Sequence, residues 1–280
     1  MVKIITDYGY CFGVESAISD LNKAGESKKH VFLTHPLLHN LPENKRLMEK
    51  ANASFLEKDT PYSEDNLIVL SAHGHSFEEE EEAKKHGRVK DATCPLIKRR
   101  YERIPKQEPG ISYIYLGKEN HQETIGFVSH FPYFTLVSTK KPLLEQLDAL
   151  KLESKSVFVP QTTVGEESYQ FVYSYLQKRS EILFSLPICP IYGKRAAQAI
   201  SYLKNVDPSK SFFLVCGDPT SSNANEIASA VHEAYPSIPY ALSLKADAAL
   251  KDKAKGKDIF IASATSVSKE AVEDLASSLS

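Results

Sequence analysis

"CPLIKRRYERI" at 94–104 and "CPIYGKRAAQAISYL" at 189–203 are written in one frame: a cysteine, a proline, two apolar residues, then basic residues that open a helical pattern. Proline suits the first position of a helix, where its missing N–H costs nothing, so each cysteine reads as the residue that heads a helix. "CFGVESAISDL" at 11–21 repeats the device without the proline. The three cysteines stand 83 and 95 residues apart and 91 residues follow the last, so they cut the 280-residue chain into nearly equal thirds. Such self-similarity predicts one supersecondary unit used three times.

Outward from each cysteine the thirds keep the same order. A β-rich run ends in a polar loop in "HVFLTHPLLHN" (30–40), "ISYIYLGKENHQE" (111–123) and "SFFLVCGDPTSSN" (211–223). About forty residues later a second run and loop follow in "NLIVLSAHG" (66–74), "SVFVPQTT" (156–163) and "DIFIASATS" (258–266). Short Val-, Ile- and Phe-rich runs separated by helical patterns predict parallel strands buried on both faces. The expected fold is α/β: three small lobes with mostly parallel sheets in a pseudo-three-fold arrangement, at 12–93, 94–188 and 189–280, with the N-terminal strand 1–11 joining the third. Ligands of open α/β sheets sit beyond the carboxyl ends of the strands, which is where all six polar loops fall.

Composition narrows the partners. A formal charge of -2 gives no global attraction to nucleic acid or to an anionic membrane, so an anion must be held locally. "MVKIITDYGYC" (1–11) reads as neither a signal peptide nor a membrane span, and a cytosolic protein is expected. In a reducing compartment spaced cysteines favour metal ligation or catalysis over disulfides. There is no C-x-x-C pair of the zinc-ribbon kind among the four cysteines. Three thiolates suit an iron–sulfur cluster and leave one iron open. Cys216, inside "FFLVCGD", reads as a packing residue.

The polar loops supply the rest: His39, His73, His121, Glu123, Thr162, Ser221, Ser222, Asn223 and Ser266, a donor-rich set able to surround an anion. Ser221, Ser222 and Asn223 also suit the cap of the helix "ANEIASAVHEAY", and both roles are compatible because a helix N-terminus is itself an anion site. "EEEEEAKK" (78–85) reads as a solvated helix with Glu-to-Lys pairs, and 245–258 as a surface helix and turn.

Eight stretches in series, "GYCFGV", "HPLLHN", "LSAHG", "DATCPL", "GKENHQE", "PQTT", "SSNAN" and "SATS", make the chain resemble the 4-hydroxy-3-methylbut-2-enyl diphosphate reductases, the LytB family, along essentially its whole length. The resemblance implies three α/β units around a central 4Fe-4S cluster. It also implies the last step of the methylerythritol phosphate route, in which an allylic diphosphate loses its hydroxyl to give isopentenyl and dimethylallyl diphosphate. By position, Cys11, Cys94 and Cys189 match the cluster ligands and Glu123 the proton-delivering carboxyl. Thr162 matches a threonine beside the reacting hydroxyl; His39, His73 and His121 match the diphosphate-side histidines; Ser221, Ser222, Asn223 and Ser266 match the neutral donors. Without a nicotinamide motif, electrons are expected from a ferredoxin or flavodoxin, with the chain a monomer or weak homodimer.

Departures from the family pattern cluster around the ligands. "CPIYGKRA" stands where the family reads close to "CYATTNRQ", keeping Arg195 but losing the threonines. Ile125 replaces a glutamate, His75 a valine and Ser268 a proline. These changes keep open a divergent paralogue that uses the same cluster on another small anion, or a cluster-binding sensor without catalysis.

Overall fold

The computed structural model of the chain describes residues 1–27, 29–38 and 40–280. Its strands are β1 (Val2–Ile4), β2 (His30–Leu33), β3 (Ala53–Phe55), β4 (Asn66–Val69), β5 (Arg88–Lys90), β6 (Ile111–Gly117), β7 (Thr135–Ser138), β8 (Lys155–Pro160), β9 (Glu181–Ser185), β10 (Ser211–Cys216), β11 (Tyr240–Ser243) and β12 (Asp258–Ser263). Among the described residues they form three four-stranded sheets, ordered β3-β2-β4-β5, β7-β6-β8-β9 and β1-β12-β10-β11. Every strand pair is parallel.

The six runs expected from the sequence are the two central strands of each sheet. Their continuous apolar character follows from burial on both faces. In the middle sheet the two-residue period is explicit. Ile114, Leu116 and Phe158 pack on one side with Val172 and Leu176, while Tyr113, Tyr115, Val157 and Val159 pack on the other with Phe127. A buried side chain of this size contributes about 1.5–3 kcal/mol, so both helical layers are held by the same strands.

The helices are α1 (Phe12–Glu26), α2 (Leu41–Lys50), α3 (Phe77–Lys84), α4 (Pro95–Tyr101), α5 (Gln122–His130), α6 (Leu143–Asp148), α7 (Glu166–Gln177), α8 (Pro190–Leu203), α9 (Ser222–Ala234), α10 (Ala248–Lys253) and α11 (Lys269–Leu279). None is long and apolar enough to cross a membrane. Backbone contacts divide the chain into two compact units. One comprises Met1–Glu15, Leu38–Arg46 and Cys189–Ser280, and the other Ser16–Leu37 and Leu47–Ile188.

The acidic run behaves as expected along one edge only. Lys84 pairs with Glu80 at 3.0 Å and Glu81 at 2.7 Å, and Lys85 with Glu82 at 2.6 Å. Glu79 instead turns inward, accepting from Gln122 Nε2 at 2.7 Å and lying 3.4 Å from His35. Thus α3 is also a packing element, with Phe77 N donating to Ser129 Oγ of α5 at 3.0 Å.

Candidate active site

In the larger unit the site grows from the loops after β4, β6 and β8. Gly117 ends β6 where a Cβ would meet Tyr115 Cε1 at 2.6 Å and Thr124 Oγ1 at 2.7 Å, so only glycine lets the first turn of α5 approach this closely. His121 caps that helix: its Nδ1 accepts from Glu123 N at 3.1 Å, which makes Nε2 the donor nitrogen of the neutral ring. The His73 ring stands edge-on to it with centroids 5.6 Å apart.

Glu123 is 4% exposed. Its Oε1 accepts from Thr162 N at 2.7 Å and its Oε2 from Thr162 Oγ1 at 2.6 Å. Burial raises the carboxyl above its ordinary range, opposed by the charge of Arg100 and by the two Thr162 bonds. Gln161 fixes the height of Thr162. Its Oε1 accepts from Lys118 N at 2.8 Å and Thr124 Oγ1 at 3.3 Å, and its Nε2 donates to Thr163 Oγ1 at 3.1 Å. Sequence reasoning passed over this residue, although it stands inside "PQTT".

Cys94 heads α4 with Pro95 behind it, and its N–H donates to Ala72 O at 2.9 Å. The approach to it is tied down by Asp91, which accepts from Thr93 N at 2.8 Å and pairs with Lys98 at 2.7 Å. Burial acts against ionisation of Asp91, but these bonds outweigh it and hold the carboxyl below the usual carboxylate range. His75 is buried beside this loop, with Nδ1 3.3 Å from Thr93 Oγ1 and Nε2 3.4 Å from Glu80.

The smaller unit carries Cys11, Cys189, Ser221, Ser222, Asn223 and Ser266. Cys11 N donates to Thr265 O at 3.1 Å, and Thr265 N donates to Asn223 Oδ1 at 2.8 Å. Cys11, Asn223 and the loop bearing Ser266 are therefore one hydrogen-bonded group. Ser221 caps α9 by accepting from Ala224 N at 3.4 Å, and Ser222 begins that helix. Asn223 Nδ2 and Ser266 Oγ are buried without a partner among the described residues, two polar atoms of the kind a bound oxyanion satisfies. Cys189 heads α8, again followed by proline.

Tyr10, next to Cys11, donates its hydroxyl to Glu43, whose carboxylate also takes Arg46 Nε at 2.9 Å and Nη2 at 2.7 Å. Burial and then Glu43 push the Tyr10 phenol well above its usual range. Cys216 is fully buried in β10, and burial alone pushes its thiol up to about 12, as befits packing. His39 lies outside the described residues. Within the described residues no group of three or more His, Cys, Asp or Glu stands ready to hold a metal ion.

A family model described as LytB protein matches residues 2–280. The chain is 30% identical over 229 residues to the 4-hydroxy-3-methylbut-2-enyl diphosphate reductase of a Nitratiruptor species, covering 81% of this chain and 79% of that one. It is 29% identical over 231 residues to the enzyme of the same name from Helicobacter pylori, covering 81% and 80%. Among solved structures it is similar to the E-1-hydroxy-2-methyl-but-2-enyl-4-diphosphate reductase of Plasmodium falciparum, with a TM-score of 0.82, 25% identity, and 98% and 86% of the two chains covered. A second solved reductase, described as (E)-4-hydroxy-3-methyl-but-2-enyl diphosphate reductase, shares the fold at a TM-score of 0.67 and 22% identity, covering 99% and 98%.

Proposed function

The chain belongs to the LytB protein family, and from that premise we propose that it removes the allylic hydroxyl of 4-hydroxy-3-methylbut-2-enyl diphosphate. Two electrons and two protons enter, water leaves, and isopentenyl and dimethylallyl diphosphate result. The observation that carries this reading is the buried Glu123–Thr162 pair, an acid of raised pKa joined to a hydroxyl at 2.6 Å.

Membership of the family and the chemistry of three thiols support a 4Fe-4S cluster as the cofactor. Cys11, Cys94 and Cys189 are half-buried thiols, each placed immediately before a helix, whereas Cys216 is sealed in a strand. Helix N-termini offer partial positive charge and N–H groups to an anionic ligand, and the side chains of Cys94 and Cys189 make no cap bond that would compete. Those three would hold the cluster, which when bound supplies electrons and a Lewis-acidic iron.

The remaining work falls to the chain. Burial raises the Glu123 carboxyl above its ordinary range and so favours its protonated form, and the Thr162 hydroxyl, 2.6 Å from Oε2, would relay its proton to the departing hydroxyl. His73, His121 and His39 offer imidazole donors to the diphosphate, and Ser221, Ser222, Asn223 and Ser266 offer neutral ones. Asn223 Nδ2 and Ser266 Oγ support this role, since both are buried with no partner among the described residues. A small acidic electron carrier of the ferredoxin or flavodoxin class would deliver the electrons in the cytosol.

Anaerobic turnover of the allylic diphosphate by the iron-reconstituted chain tests the reading. Product from the wild type and a loss of at least about 100-fold in Glu123→Gln are expected. Equal rates would refute the acid role, and ligand retention without product would make the chain a binding protein.

A further inference from the structure

Arg100 and Arg195 hold the same place in two repeats. Each stands six residues after the cysteine that heads its helix, Cys94 for α4 and Cys189 for α8. Arg100 donates from Nη2 to the carbonyl of Pro160, the last residue of β8, and from Nη1 to the carbonyl of Pro187. Arg195 donates from Nη1 to the carbonyls of Ser263, the last residue of β12, at 3.0 Å and Ala264 at 2.9 Å, and from Nη2 to the carbonyl of Gly9 at 2.8 Å.

The targets also correspond. Pro187 lies two residues before Cys189, and Gly9 two residues before Cys11. Each guanidinium therefore ties its own helix to two things: the strand end that feeds a polar loop, and the backbone two residues short of another cysteine. The polar loops are those of Thr162 and Ser266. In the first repeat the corresponding position is the buried Ala17, and the segment before Cys94 is tied instead by the Lys98–Asp91 pair at 2.7 Å.

Packing alone is a poor account of Arg195. It is 4% exposed, and its Nε has no partner among the described residues. Burying a charge is costly unless its bonds do something an apolar residue could not. Two-pronged donation to carbonyls fixes backbone direction, which the planar guanidinium does and the single ammonium of lysine does not.

We propose that Arg100 and Arg195 are positioning residues for ligand thiols, Arg100 fixing the backbone that delivers Cys189 and Arg195 the backbone that delivers Cys11. The inference rests on the ligand role proposed above for those cysteines. The consequence is crossed: each arginine governs a cysteine outside its own helix.

The test uses the full chain, reconstituted with iron and sulfide under anaerobic conditions. Iron release to a chelator is timed while iodoacetamide labels the cysteines, whose order of alkylation is read by mass spectrometry. Release several-fold faster than in the wild type is expected for both glutamine variants, with Cys11 labelled first in Arg195→Gln and Cys189 first in Arg100→Gln. Arg99→Gln, on the exposed side of α4, should match the wild type. Unchanged release and order in folded variants would overturn the proposal, as would uniform acceleration at all three cysteines. If a glutamine variant loses its circular dichroism, the lysine variant takes its place, keeping the charge but not the fork. A wild type that takes up no iron would instead sink the cluster reading, while the crossed labelling pattern would still report on the two arginines.

Discussion

Thr162 gives both of its donors to one carboxyl group: its N–H reaches Glu123 Oε1 at 2.7 Å and its hydroxyl reaches Oε2 at 2.6 Å. Both bonds favour the ionised carboxylate and so oppose the burial that raises its pKa. Thr162→Val deletes the hydroxyl and leaves the N–H. The carboxyl should then titrate higher, moving the alkaline limb of the rate profile upward while the maximal rate falls about 10- to 100-fold for want of the relay. A profile of kcat against pH reads both. A limb that moved down would contradict the direction of the Thr162 contribution.

Stability should carry the same signature. A group whose folded pKa lies above its unfolded value, about 4.3 for glutamate, favours folding below the unfolded value. That contribution is lost as pH rises through the raised folded pKa of Glu123. Denaturant titrations of wild type and Glu123→Gln should therefore give a difference that moves against the wild type with rising pH and levels off once Glu123 is ionised. A difference independent of pH would mean that the carboxyl is not desolvated.

The fourth cysteine should part company with the other three. Cys216 is fully buried and its thiol is pushed up to about 12, so the folded protein should not be alkylated there. Cys216→Ser buries a hydroxyl in an apolar strand and should cost roughly 1–3 kcal/mol while leaving iron content at the wild-type level. Serine at Cys11, Cys94 or Cys189 should lower iron content with little change in melting. Iron analysis of the four variants checks both halves.

The legible and illegible parts of the chain divide by burial. The central strands β2, β4, β6, β8, β10 and β12 are enclosed on both sides, so their apolar runs stand out in sequence. The edge strands have one ladder neighbour and, apart from the buried Val137 and Ser138 of β7, exposed or half-buried side chains; "RVK" of β5 carries no pattern that distinguishes it from a loop. The loops of Glu123, Thr162 and Asn223 were visible because polar residues after apolar runs mark strand ends. Arg100 was not, since a basic residue in a basic cluster reads as solvated and nothing local names the carbonyls it meets. Glu79 misleads in the same way, its four acidic neighbours hiding the one that turns inward.

Asn223 offers an isosteric test of the anion site. Its Oδ1 is committed to Thr265 N at 2.8 Å, while its Nδ2 is buried without a partner among the described residues. Asn223→Asp keeps the acceptor and replaces the unfilled donor with negative charge. If that donor serves the diphosphate, the loss of a bond to a charged group, about 1.5–3 kcal/mol, should raise KM roughly 10- to 100-fold. Affinity for inorganic pyrophosphate, measured by calorimetry, should fall in parallel. Unchanged pyrophosphate binding would remove Asn223 from the site.

Gly126 sets the distance between two histidine-bearing segments. A Cβ there would lie 3.0 Å from both the N and the O of His75 and 3.3 Å from its carbonyl carbon, and backbone cannot swing aside as a side chain can. Alanine in a helix interior gains roughly 0.5–1 kcal/mol over glycine, whereas forcing a methyl into a packed contact costs about 1–3 kcal/mol, so the clash should win and Gly126→Ala should melt lower. The same displacement moves α5, which bears Glu123 and follows His121, away from the turn that bears His73. If the His73–His121 pair at 5.6 Å is shaped for a diphosphate, KM should rise, and kcat should fall with it because Glu123 rides on the same helix, bonded to His121 at 3.1 Å. A variant that melts higher with an unchanged KM would mean that the contact is slack and that the spacing of the two imidazoles is set elsewhere.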